Sequence, residues 1–227
     1  MDDSSIGRIT DEALDVLRQD IGRESELPQF NTCATEDAIR HYVLGRGDDN
    51  PLFCDETYAA SSRHGSIIAP NTFLLTCGFP RSRGLPGVHA LFTGIDFHFH
   101  TPVKVGTKIL TKSSLHELSD RVGEYAGRQI QQTTRTEYLD KQGNAVATLF
   151  SHAFRMERKK AGSRRKYSEL ARKLYSDEEL HEIEEAYRKE RSSRRGALTL
   201  FWEDVSVGES LPAMVKGPLT VTDNVAF

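Results

Sequence analysis

APNTFLLTC, residues 69–77, is apolar on nearly every side and carries Pro70 where a first helical turn begins. Its spacing reads as a helix over 69–77, and a helix without a polar face has to be enclosed. Behind it come four stretches that read as strands: 90–100 (ALFTGIDFHFH), 107–118 (TKILTKSSLHEL), 125–139 (YAGRQIQQTTRTEYL) and 144–156 (NAVATLFSHAFRM). The last three are joined by short polar turns such as DKQGN, residues 140–144, which suits antiparallel hairpins. One enclosed helix followed by antiparallel strands is an α+β pattern, with the sheet curled about the helix. Phe73, Leu74, Phe97, Phe99, Ile109 and Phe150 are the expected core.

Ahead of the enclosed helix, three more helices are expected. They are 10–20, capped at Thr10; 35–45, capped by Thr35 and stopped at Gly45 and Gly47; and 55–61, behind Asp55. GRGDDNP, residues 45–51, is a turn.

The chain has 227 residues, 37% hydrophobic and 28% charged, so one domain with a remainder is expected. No stretch approaches the roughly 18 apolar residues of a membrane helix. The acidic N-terminus, MDDSSIGRITDEALDVLRQD, does not read as a secretory leader. The formal net charge of −3 gives no global pull toward nucleic acid or anionic lipid. Cys33, Cys54 and Cys77 are odd in number and share no short spacing, which fits a reducing, cytoplasmic setting better than a disulfide framework.

Composition changes after residue 156. Residues 157–195 hold 13 Lys/Arg against 9 Asp/Glu, with a thin apolar stripe at Leu170, Leu174, Leu180, Ile183 and Tyr187. That reads as a charged helical linker over 157–196, with Ser176 as an N-cap ahead of Asp177, Glu178 and Glu179. Residues 197–227 contain Trp202 and strand-like alternation. Thirty residues bury no core of their own, so this stretch reads as a docking tail or the start of a second module. The expected organisation is therefore a domain over 1–156, the linker, and the segment 197–227.

Chemistry concentrates at Gly47-Asp48-Asp49-Asn50-Pro51-Leu52-Phe53, where a turn presents carboxylates between helices. Asp48 can serve as acid or base; alternatively Asp48 and Asn50 only cap the backbone of a tight turn. His64 follows closely, and His41 stands on the preceding helix. Asp96, His98 and His100 share one face of a strand, with Phe97 and Phe99 on the other, but third and fourth zinc ligands are not evident and no metal is expected. Ser61, Ser62 and Ser66 lie near His64 without a nucleophile elbow. No phosphate-binding glycine loop is present.

YVLGRGDDNPLFCDETYA, residues 42–59, resembles the signature of the MaoC-like hydratase/dehydratase family. RHGSIIAPNTFL (63–74) is similar to that family's lead into its central helix, and residues 84–109 to the next strand and its Pro-Val-x-x-Gly turn. WEDVSVGESLP (202–212) followed by GPLTVTD (217–223) is similar to the opening of a second such module, so the likeness covers about 10–156 and again 200–227. The resemblance implies a hot-dog fold, here the N-terminal, FAS1-like module of a double hot-dog enoyl-CoA hydratase. It also implies hydration of enoyl or dehydration of 3-hydroxyacyl thioesters, without a cofactor. The partners implied are an acyl-CoA or acyl-carrier thioester, and a second copy or a catalytic hot-dog chain.

The match is uneven where the chemistry lies. Asp48 and Asn50 agree with the family's motif, whereas Phe53 stands where the motif has its histidine. Pro70 and Asn71 replace a His-Gly pair whose backbone donates to the thioester, and Pro70 has no N–H. The expectation is an acyl-binding, poorly catalytic half of a hydro-lyase. Asp48, Asn50 and His64 are the candidate catalytic residues, and Phe53, Ile68, Ala69 and Asn71 the candidate substrate contacts. A non-catalytic stabilising subunit and a thioesterase on the same fold remain the alternatives.

Overall fold

The computed structural model describes residues 6–123, 127–157, 173–193, 195–196 and 198–218. The described residues fall into two units, 6–157 and 173–218, which are taken in turn.

In the first unit, helix α1 (Asp11–Arg18) starts where Thr10 accepts the Ala13 N–H at 3.2 Å, and it buries Leu14 and Leu17. Helix α2 (Glu36–Gly45) starts the same way, with Thr35 accepting from Ala38, and buries Ile39, Tyr42 and Val43. Two short helices follow, α3 (Pro51–Cys54) capped by Asn50 and α4 (Glu56–Ser61) capped by Asp55. In each case an unpaired first-turn N–H meets a side-chain oxygen, as a helix start requires.

The α-helix expected over 69–77 is instead a 3₁₀ segment over Asn71–Cys77. Pro70 stays extended, and its carbonyl takes the Phe73 N–H at 2.8 Å, a three-residue closure. Thr76 repeats that spacing by donating its hydroxyl to the Phe73 carbonyl at 2.8 Å. Gly78, at φ +147°, ends the run. The tighter winding still turns Phe73, Leu74 and Cys77 inward, each at most 1% exposed.

Among the described residues the sheet has five antiparallel strands: β1 (Glu24–Ser25), β2 (His89–Phe99), β3 (Leu110–Gly123), β4 (Gly127–Leu139) and β5 (Ala145–Met156). Their order is β1-β3-β4-β5-β2, which makes β2 an edge strand. The β4–β5 turn is tied by Asp140, whose Oδ1 accepts from the N–H groups of Gln142 and Asn144, with Gly143 at φ +86°. Two residues of β1 leave no period to read, and the sequence gives no warning of them.

The core lies between the sheet and the 3₁₀ segment. Phe73, Leu74 and Cys77 meet Ile109, Tyr138, Ala147 and Leu149, with Ile39, Tyr42 and Val43 from α2. A second cluster under α1 joins Leu14 and Leu17 to Leu85, Val88, Leu115 and Ile130. Beside it Arg155, 3% exposed, donates to the carbonyls of Arg83, Gly84 and Leu85 and to Gln132 Oε1, at 2.8–2.9 Å. A buried cation held by carbonyl oxygens fixes the loop that feeds β2, and burial pulls its pKa down.

Three core expectations need correction. Phe99 is 40% exposed because it ends the edge strand, and Phe97, stacked between Phe99 and Tyr138, is only half-buried. Phe150 is half-buried on the outer face, opposite Asp96, with the rings of His98 and His116 against it.

The second unit contains helix α5 (Asp177–Ser193), capped as its sequence suggests: Glu179 N–H donates to Ser176 Oγ at 3.2 Å and Ser176 N–H to Glu179 Oε2 at 2.9 Å. Leu170 lies outside the described residues. The alternating stretch after α5 forms a 3₁₀ turn over Trp202–Asp204 and no strand among the described residues 198–218. Trp202 and Leu211 stand 89% and 87% exposed. No helix among the described residues is long and apolar enough to cross a membrane.

Candidate functional site

A cleft of about 520 Å³ opens where the end of α2, the α3 turn and the head of the 3₁₀ segment meet. Its walls are Arg46, Asp48, Leu52, Phe53, Arg63, His64, residues 68–72 and Pro102. Six of the seven residues singled out from the sequence line it: Asp48, Phe53, His64, Ile68, Ala69 and Asn71. Asn50 does not.

The turn that presents Asp48 is built by local bonds. Arg46 closes α2 with its N–H on the carbonyls of Tyr42 and Val43, Gly47 takes φ +58°, and Asp48 N–H returns to Val43 at 3.0 Å. A side chain at position 47 would be strained, so glycine belongs there. Asp48 Oδ1 accepts the Asn50 N–H at 3.1 Å, and Asn50 Oδ1 accepts the Leu52 N–H at 3.1 Å. Both readings of the motif therefore meet in one loop. Asn50 is engaged as a cap. Asp48 uses one oxygen for the turn, and its other oxygen has no hydrogen-bond partner among the described residues.

α3 then carries Leu52 and Phe53 into the cleft, with Phe53 half-buried against the main core. A phenyl ring there closes the apolar wall and offers no proton acceptor. Ile68 N–H bonds to Leu52, and Ala69 N–H bonds to Val103 at 2.8 Å, which leads the chain into Pro70 along the cleft.

His64 reaches the cleft from the turn after α4. Its N–H donates to Ser62 Oγ at 3.1 Å, and its Nε2 accepts the Arg63 Nε–H at 3.4 Å. That bond is long and Arg63 is exposed, so a ligand can displace it. Ser61, Ser62 and Ser66 donate their hydroxyls to backbone carbonyls, which consumes the protons a nucleophile would lose. Cys54 is no better: desolvation, then Asp49, Asp55 and Asp48, push its thiol pKa up and keep it protonated.

Six cleft residues are not among the sequence candidates, and three of them are polar: Arg46, Arg63 and Thr72. Arg63 adjoins His64, a signal that could have been used. Thr72 joins the site only because α2 lies against the 3₁₀ segment: Tyr42 Oη donates to Thr72 Oγ1 at 2.9 Å and Arg46 Nη1 donates to it at 2.6 Å. The Arg46 guanidinium also lies 5.4 Å over the Tyr42 ring.

Elsewhere the candidates do not converge. Asp96 bonds His152 at 3.1 Å, His98 packs on Phe150, and His100 bonds Thr148 at 3.1 Å. Among the described residues no three His, Cys, Asp or Glu groups are placed to hold a metal. His41 is exposed on α2. A groove of about 350 Å³ on the second unit, between α5 and residues 215–218, gathers none of the candidates.

The sequence model of the FAS1-like dehydratase domain region matches residues 19–149. A UPF0336 protein from Parafrankia sp. is 31% identical over 119 residues, covering 48% of this chain and 74% of that protein. A probable enoyl-CoA hydratase alpha subunit from Thermomonospora curvata is 26% identical over 142 residues, 54% of this chain and 44% of that protein, so the chain spans less than half its length. Among solved structures, the ChsH1–ChsH2 complex of Mycobacterium tuberculosis superposes with a TM-score of 0.56 at 13% identity, covering 65% of this chain and 98% of that one. The latter is a likeness of fold.

Proposed function

Since the chain belongs to the FAS1-like dehydratase family, within the MaoC-like hot-dog hydratases and dehydratases, we propose that its cleft binds the thioester end of an enoyl- or 3-hydroxyacyl-CoA or acyl-carrier substrate and is the poorly catalytic half of the hydratase. The observation that carries this is the cleft itself, which joins Asp48 to a polar and apolar lining but sets Phe53 on the wall five residues after the aspartate.

Hydration forms a C–O bond from water to the β-carbon and a C–H bond at the α-carbon. One group must take the water's proton, another must supply the α-proton, and donors must hold the enolate oxygen between the two events. Asp48 offers one carboxylate oxygen for the water. Leu52, Phe53, Ile68 and Pro70 fit an alkyl chain, and Arg46 and Arg63 at the same cleft suit a phosphate-bearing carrier. What is missing is a second proton-transfer group in Phe53's place.

A second reading follows from His64, which shares the cleft with Asp48. If His64 supplies that group, the chain turns substrate over by itself, and His64→Ala abolishes the turnover. The test that separates the readings pairs a crotonyl-CoA binding titration with a hydration assay on one sample: saturable binding with little loss of the enoyl absorbance is expected.

The proposal includes the domain organisation expected from the sequence: a hot-dog module over 1–156, a charged linker over 157–196, and a segment over 197–227 that is the start of a second module or a docking tail. The exposed Trp202, Val207 and Leu211 support a cover for that last stretch, and the Thermomonospora relative is long enough to hold one. The free thiols Cys33, Cys54 and Cys77 support a reducing, cytoplasmic setting.

Assembly is the third part. Among the described residues β2 is paired on one side only, and Leu91 and Phe92 stand 49% and 53% exposed along it. An open, apolar edge invites pairing with another strand. Sedimentation at micromolar concentration is expected to show a dimer, or a complex once a catalytic hot-dog partner is added. A stable monomer under both conditions contradicts this.

A further inference from the structure

We infer that the Thr72 hydroxyl is the donor that holds the acyl carbonyl oxygen of a bound thioester, an inference that rests on the reading of this cleft as a thioester site. A threonine hydroxyl has one proton and two lone pairs. Arg46 can only donate, and it donates to Thr72 Oγ1 at 2.6 Å. Tyr42 Oη donates to the same oxygen at 2.9 Å. Both lone pairs are thereby occupied, and among the described residues Thr72 makes no further side-chain bond. Its proton is left over on a residue that is half-exposed and lines the cleft.

The oxygen is also held in place. Tyr42 is 6% exposed and meets Phe73 edge to face at 5.7 Å, so its hydroxyl has little freedom to turn away. The Arg46 bond is charge-assisted and draws electron density from Oγ1, which makes the remaining O–H a stronger donor. A single oriented donor suits a carbonyl on which negative charge builds during enolate formation.

Part of the nearby backbone is unavailable. Pro70 has no N–H, and the Phe73 N–H is spent on the Pro70 carbonyl at 2.8 Å. Ile68 and Ala69 border the same position and leave the alkyl side of the thioester in apolar surroundings. The side chain of Thr72 thus adds an oriented donor at the head of the 3₁₀ segment, beside the N–H groups of Asn71 and Thr72, for which no hydrogen bond is found among the described residues.

The experiment is infrared difference spectroscopy on crotonyl-CoA carrying a ¹³C-labelled thioester carbonyl, titrated into the parent chain, Thr72→Val, Thr72→Ala and Thr72→Ser. The parent is expected to bind and to move the labelled carbonyl stretch to lower frequency. Valine and alanine are expected to abolish that movement while weakening binding by only about 2–10-fold, the range of one hydrogen bond. Serine should retain it. A full shift in either hydroxyl-free variant, or a parent that binds with no shift, overturns the assignment and leaves the thioester reading intact. A parent that does not bind crotonyl-CoA at all overturns both. Circular dichroism on each variant checks the fold, and alanine serves if valine crowds the site.

Discussion

Phe53→His is expected to raise hydration of crotonyl-CoA by this chain about 10²–10⁴-fold, the range that one positioned general acid or base contributes. Phe53 is the third residue of α3, and its N–H is already fixed on the Asn50 carbonyl at 3.0 Å. The ring packs half-buried against the core, and an imidazole is no larger than a phenyl. The replacement therefore inherits the position and adds the missing proton acceptor beside Asp48. The check is steady-state hydration followed by loss of enoyl absorbance, with Asp48→Asn made in the same background. A gain that vanishes with Asp48→Asn supports the pairing of the two positions. No gain at all, in a variant that still binds substrate, means that the absent histidine is not what limits this cleft.

Phe73→Ala is expected to cost about 3–5 kcal/mol of stability. The side chain is fully buried, edge-on to Tyr42, and belongs to the cluster that joins the 3₁₀ segment to Ile109, Tyr138 and Leu149. Deleting it removes the transfer free energy and leaves a cavity that the packed neighbours only partly fill. Phe97→Ala should cost distinctly less, because its ring is only half-buried on the edge strand. Urea unfolding at fixed protomer concentration measures both, the fixed concentration being needed because association shifts apparent stability. A loss below about 1 kcal/mol at Phe73 contradicts the description of the core.

Much of this architecture is legible in the sequence, for local reasons. Thr10, Thr35, Asp55 and Ser176 announce helix starts because a cap is a contact between near neighbours. The four long strands show through their alternation, although β3 begins three residues later than expected and runs on to Gly123. What failed was decided at a distance. The winding of Asn71–Cys77 follows from Thr76 and Pro70 closing at three residues, which an apolar pattern of seven residues cannot distinguish from four. The exposure of Phe99 follows from β2 lying at the sheet's edge, and strand order is not written in any one strand.

The site divides in the same way. Asp48 stands out from the carboxylate-bearing turn itself, and Phe53, Ile68, Ala69 and Asn71 through a family resemblance whose segments keep their order; the fold brings them to one cleft with His64. Asn50 looked equally chemical, yet its side chain caps α3, a role its motif allowed from the start. Arg46 and Thr72 carried no signal because they are 26 residues apart and meet only through the packing of α2 on the 3₁₀ segment.

The central claim is that this cleft holds an acyl thioester but lacks one of the groups needed to hydrate it. Crotonyl-CoA binding and turnover, measured together on residues 1–227 and on Asp48→Asn, test it most directly. The account predicts saturable binding by both proteins and hydration by the parent that is slow or undetectable and little changed by Asp48→Asn. Robust hydration by the parent, abolished by Asp48→Asn, would contradict it.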